Sequence, residues 1–102
     1  MRATAPKVSA LMKVLSNQHR LMILCQLCES ERSVGELVHL LDIRQAALSQ
    51  QLSRLRASNL VKTRREAQTI YYSIADEDLD RLLAFLYVTY YEAKPDMEAK
   101  SQ

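Results

Sequence analysis

Residues 33–58 read SVGELVHLLDIRQAALSQQLSRLRAS, and this stretch decides the fold. Ser33-Val34-Gly35-Glu36 is a capping box, in which the serine oxygen accepts the third helical amide and the glutamate returns to the serine amide. It opens a short helix predicted to end near Leu41. After Asp42-Ile43 the apolar spacing restarts, predicting a second helix from about Gln45 to Ser58, and Asn59 sits where a left-handed residue closes it. On a helix of about 3.6 residues per turn, Leu48, Leu52 and Leu55 share one side, while Ala46, Ser49, Gln50, Ser53 and Arg54 share the other. A merely solvated face would carry many Glu and Lys side chains. This one offers short groups that permit close approach and amides that can bond bidentately to base edges. Two such helices joined by a tight turn predict a helix-turn-helix, the second helix entering a major groove and the first bracing the backbone.

On the C-terminal side, Val61 to Glu66 and Thr69 to Ile74 are two strand-like runs separated by Ala67-Gln68, which predicts a hairpin. Tyr71 and Tyr72 alternate along the second strand, so one belongs to the core and the other to the surface. A last helix is expected from about Asp76 to Glu92, with Asp76, Glu77 and Asp78 at the positive end of its dipole. On the N-terminal side, Val8, Leu11, Met12 and Leu15 space a short helix from about Lys7 to Leu15. A second, from about His19 to Glu29, is apolar around most of its circumference and so central and buried. The expected fold is therefore mostly α with a small β-hairpin wing, in the order α-α-α-α-β-β-α, as a single domain over residues 1–102. Residues 1–6 and 95–102 read as flexible ends.

The charges are unevenly placed. Between Ile43 and Arg65 stand Arg44, Arg54, Arg56, Lys62, Arg64 and Arg65 with no acid, while Asp76, Glu77, Asp78 and Asp80 crowd together soon after. A local basic field of that kind favours a polyanion although the net charge is only +2. Arg64, Arg65 and Gln68 in the hairpin would reach phosphates or an adjacent minor groove. The N-terminus shows no export signal and no stretch approaches the ~18 apolar residues of a membrane span, so the chain is expected in the cytoplasm without membrane contact. No catalytic triad, carboxylate pair or phosphate loop is visible, which argues against an enzyme and against a bound cofactor.

Leu79, Leu82, Leu83, Leu86 and Tyr90 form a stripe on the last helix, with Phe85, Tyr87 and Val88 outside it. One small core cannot cover all of these. Pairing this helix and the first, through Leu11, with their symmetry mates would bury the surplus. It would also set two groove-entering helices roughly 34 Å apart, one turn of DNA.

Leu15-Ser16-Asn17-Gln18-His19-Arg20-Leu21, Ser33-Val34-Gly35-Glu36-Leu37 and Ala47-Leu48-Ser49-Gln50-Gln51-Leu52 follow one another at the spacing of the ArsR/SmtB repressors, and from Leu11 to Tyr91 the chain resembles that family. Arg20-Leu21-Met22-Ile23-Leu24-Cys25 and Glu66-Ala67-Gln68-Thr69-Ile70-Tyr71-Tyr72 make it most similar to the BigR, SqrR and HlyU branch. The resemblance implies a homodimeric, usually repressing regulator on a palindromic operator of double-stranded DNA. Gln45, Ala46, Ser49 and Gln50 would then face bases, and Arg64, Arg65 and Gln68 would lie in the wing. Two departures stand out: Arg44 occupies a position where the family often has a serine cap, and Asn59 replaces a common glycine.

The family senses metals or thiol oxidants. Its metal motifs need cysteines around Val34 to Leu41, or aspartate and histidine pairs in the last helix, and this chain has neither; His19 and His39 are far apart in sequence, and His19 reads as flanking the second helix. The resembled branch joins one cysteine in the second helix to another near the end of the last. Cys25 matches the first, while the second falls on Tyr91 or Tyr90. Cys25 and Cys28 form a C-x-x-C toward the C-terminal end of an apolar helix, where dipole and burial both oppose a thiolate. They are either small buried hydrophobes or a redox switch.

Overall fold

The computed structural model describes residues 4–92, with side chains as far as Tyr90. The elements run α1 (Ala5–Leu15), α2 (Gln18–Glu29), β1 (Arg32–Ser33), α3 (Val34–Leu41), α4 (Gln45–Ala57), β2 (Val61–Glu66), β3 (Thr69–Ile74) and α5 (Glu77–Leu86), the last continued by a π-helix at Tyr87–Glu92. Expectations for residues 1–3 and 95–102 lie outside the described residues. Ala5 and Pro6, expected in a flexible lead, are helical, since proline at the first turn has no amide to waste.

Local chemistry sets the helix ends. Asn17 caps α2 by accepting the Arg20 amide at 3.0 Å, so the cap is Asn17 and His19 is an exposed neighbour. The Arg20 guanidinium reaches back to the Val14 and Lys13 carbonyls at 3.0 and 3.3 Å, closing α1 and tying it to α2. The capping box of α3 is present in both halves: the Glu36 amide donates to Ser33 Oγ at 3.2 Å, and the Ser33 amide donates to Glu36 Oε1 at 2.9 Å. α4 ends in a Schellman motif, because Asn59 takes φ 61° while the Leu60 amide donates to the Leu55 carbonyl and the Asn59 amide to that of Arg56, both at 3.0 Å. Asp76 caps α5 by accepting the amides of Asp78 and Leu79.

The sheet differs from the expected two-stranded hairpin. Arg32 and Ser33 pair with Tyr72 and Tyr71, giving a three-stranded antiparallel sheet in the order β1-β3-β2. Two residues carry too little pattern to read as a strand, and only the tertiary position of the α2–α3 connection brings them to the edge of β3. The turn at Ala67-Gln68 is as predicted, and Ala67 holds φ 55°, a left-handed conformation that alanine adopts at a cost.

Ile23, Leu24, Leu37, Leu48, Leu52, Leu79 and Leu83 are fully enclosed, and Leu27, Leu55, Leu60 and Val61 join them. Two members of the expected dimer stripe are therefore misplaced: Leu79 and Leu83 are 0% exposed within the protomer. They occupy the side of α5 that packs on α2 and the sheet. Leu11, Leu82 and Leu86 are half-buried and Tyr90 is exposed. Among the described residues the exposed large apolar side chains are Val8 and Met12 on α1, Phe85, Val88 and Tyr90 at the C-terminal end, and, away from these, Leu40 on α3 and Ile70 on β3. The sequence stripe correctly marked α5 as two-sided but could not tell which leucines its own core would take.

Leu52 is enclosed at the centre of α4. Leu52→Ala is expected to cost about 2–5 kcal/mol of unfolding free energy, measured by urea titration with the m-value unchanged.

Candidate nucleic-acid interface

α3 and α4 are joined by Asp42, Ile43 and Arg44. Asp42 takes φ 53° and donates its amide to the Val38 carbonyl at 3.0 Å, turning the chain sharply. Ile43 is buried and pins the turn to the core. Arg44 occupies the N-cap of α4 with no side-chain cap bond, as its replacement of a serine implies. With Leu48, Leu52 and Leu55 seated inward, Gln45, Ala46, Ser49, Gln50, Ser53 and Arg54 are all exposed. Among the described residues the side chains of the polar members of this set make no hydrogen bond, so their side-chain donors and acceptors are unused by the protein itself.

The charge around α4 is basic. Arg44, Arg54 and Arg56 on the helix and Lys62 and Arg65 on β2 are exposed. The acids at the start of α5 belong to another element and largely serve its N-terminus.

The wing does not treat its two arginines alike. Successive strand residues point to opposite faces. Arg65 pairs with Ile70 across the hairpin and shares its face with Val61, which is buried against the core. Arg64 pairs with Tyr71 on the outer face. There its guanidinium forms an ion pair with Glu31, Nε donating to both carboxylate oxygens at 2.9 Å, and a second with Glu66 at 2.7 Å. The same group lies 4.7 Å from the centroid of the Tyr71 ring. Arg64 thus differs from Arg65 in being held by two carboxylates, while Lys62, Arg65, Gln68 and Thr69 are further exposed polar groups of the wing. The bond to Arg64 pulls the Glu31 carboxyl below its ordinary range, and the two carboxylates hold the guanidinium protonated. Tyr72, on the opposite face, packs against the core as the alternation required.

Glu31 was missed because nothing in its sequence surroundings marks it. Its partner is 33 residues away, and only the three-stranded sheet brings them together.

The described side chains form no group of three or more His, Cys, Asp or Glu able to hold a metal. Cys25 is buried and Cys28 partly buried, both as free thiols. Burial, with Glu29 nearby, pushes the Cys25 thiol up. Burial, with the Asp80 carboxylate beside it, pushes the Cys28 thiol up to about 11, and the thiol also contacts the Asp80 main-chain carbonyl at 3.7 Å. Tyr90 and Tyr91 lie in the π-helix that follows α5, and the side chain of Tyr91 is outside the described set. No described helix is long and apolar enough to cross a membrane.

The family model for bacterial regulatory proteins of the arsR family matches residues 17–63, spanning α2 through the start of β2. The transcriptional activator HlyU of Vibrio cholerae is 41% identical over 93 residues, covering 91% of this chain and 86% of that protein. The chain belongs to the ArsR family. It is a DNA-binding transcription regulator and not an enzyme. The biofilm growth-associated repressor of Agrobacterium fabrum is 47% identical over 90 residues, covering 88% of this chain and 77% of the relative. Reduced HlyU superposes with a TM-score of 0.84, covering 89% of this chain and 96% of that one. The homodimeric winged helix-turn-helix domain of Mb0332 from Mycobacterium bovis matches at TM-score 0.73 and 35% identity, covering 90% and 85% of the two chains.

Because the thiolate is the reactive form, alkylation of Cys28 in this ArsR-family chain should be slow at neutral pH and rise about tenfold per pH unit toward about 11. Mass-spectrometric labelling against a free cysteine peptide measures it; equal rates at neutral pH would contradict the burial argument.

Proposed function

We propose that this ArsR-family regulator binds a palindromic operator as a homodimer in the cytoplasm, lowering transcription by occupying promoter DNA. Each protomer inserts α4 into a major groove. Gln45, Ser49 and Gln50 meet base edges, Ala46 gives close approach, and Ser53 and Arg54 lie further along the groove. Arg65 and Gln68 extend the contact from the wing to backbone or minor groove. The observation that carries this reading is the outward polar face of α4, six exposed residues without an acid, held by three buried leucines.

The dimer rests on the apolar surface left by the core. Val8, Met12, Phe85, Val88 and Tyr90 are each more than two-fifths exposed, on α1 and the C-terminal helical segment. Association through α1 and α5 covers them, with Leu11, Leu82 and Leu86 contributing their outer edges and Leu79 and Leu83 supporting from inside. Mb0332, of the same fold, is a homodimer. Cys25 and Cys28 behave in this reading as buried hydrophobes, since the environment of each disfavours the thiolate.

Gln50→Ala is expected to lose about 1–3 kcal/mol of discrimination at particular base pairs and little on random duplex, read by competition titration. Arg65→Ala should weaken binding to all sequences and reduce the slope of log affinity against log salt by about one. Equal loss on every duplex for the glutamine variant would refute base contact. An unchanged slope for the arginine variant would remove Arg65 from the phosphate set.

A further inference from the structure

The outer face of the wing carries a device that DNA contact by itself does not call for. Arg64 starts from β2, passes over the ring of Tyr71 in β3, and ends on Glu31, which follows the Ser30 C-cap of α2 and precedes β1. Tyr71 is opposite Arg64 on one side and opposite Ser33 of β1 on the other, so the side chain crosses the full width of the sheet. Exposed ion pairs contribute little in general. Bidentate geometry, a second carboxylate and an aromatic platform together are the exception.

We propose that Glu31 is a positioning residue for DNA binding: through Arg64 it straps the wing to the end of α2 and so fixes where Arg65 and Gln68 stand relative to α4. The inference rests on the DNA-binding reading above. β1 is only two residues long, and the described residues of the wing tip beyond Arg65 are exposed, so backbone pairing alone leaves the hairpin free to swing about its base. The strap closes that freedom from the outer face. Arg64, Glu31 and Glu66 together carry a net charge of one negative unit, which makes Arg64 unsuited to hold a phosphate while the strap is closed. The same strap joins the wing to α2, the central helix of the protomer, so a change at the α2–β1 turn reaches the wing without passing through α4.

Glu31→Gln and Arg64→Gln separate this role from direct phosphate contact, because the two roles predict opposite signs for the glutamate variant. The full-length protein and variants are titrated against the best duplex selected from a random pool of about 30 base pairs, long enough for two half-sites. Removing an acid from a DNA-binding surface should tighten binding by charge alone. The strap instead predicts that both single variants weaken binding roughly threefold to tenfold, with the salt slope of the wild type, and that the double variant is no weaker than the weaker single. If Glu31→Gln binds as well as the wild type or better while Arg64→Gln loses affinity and slope, Arg64 is a phosphate contact and the strap is overturned. Additive losses in the double variant overturn it also. Amide hydrogen exchange of the free protein supplies a readout without DNA: Gln68 to Tyr71 should exchange faster in Glu31→Gln at an unchanged global unfolding midpoint, and unchanged exchange there refutes the strap. Should the wild type select no duplex, the DNA-binding reading fails by itself, and the exchange measurement still decides the strap.

Discussion

The side of α4 bearing Leu48, Leu52 and Leu55 is seated in the core against Leu37 and the rest of the apolar cluster, and the remainder of the molecule depends on that seat. A helix whose apolar side is enclosed has no choice about its other side. Gln45, Ala46, Ser49, Gln50, Ser53 and Arg54 face outward because rotating any of them inward would pull a leucine into water and bury unpaired amides. The surrounding devices protect this orientation. Ile43 pins the turn before the helix, the Schellman bonds at Asn59 and Leu60 close it behind, and Leu60 then leads directly into the buried start of β2.

Charge is sorted on top of this frame. The basic residues of the segment from Arg44 to Arg65 flank α4, whereas the acids gather at the start of α5, where they suit the helix dipole. Within the wing the sorting is finer. Neighbouring arginines on one strand face opposite ways, and the outer one is neutralised by Glu31 and Glu66. Counting cations along the chain therefore overstates how many can meet a phosphate. The two thiols show the influence of surroundings in the other direction: burial raises both, favouring the protonated form.

Much of this was legible beforehand. The capping box at Ser33, the left-handed Asn59, the strand bounds around Ala67-Gln68 and the inward leucines of α4 all follow from local rules that act within one or two turns. What was misread involved competition between distant groups. Leu79 and Leu83 looked like surface available to a partner, yet α2 and the sheet claim them. Arg64 looked equivalent to Arg65, yet Glu31 claims it. Periodicity of two along β2 already separates the two arginines by face, and that signal was available in the sequence. The identity of the acid that meets Arg64 was not.

By itself the sequence determined the order of helices, the hairpin, the polar face of α4 and the basic segment around it, because each rests on backbone geometry and side-chain spacing over a few residues. The tertiary structure alone decided that Arg32 and Ser33 form a third strand, which leucines of α5 the core absorbs, and that Arg64 is anchored to Glu31. Those outcomes depend on which chain segments, tens of residues apart, come within a few ångströms when the apolar surfaces close together, and no local pattern encodes that choice of partner.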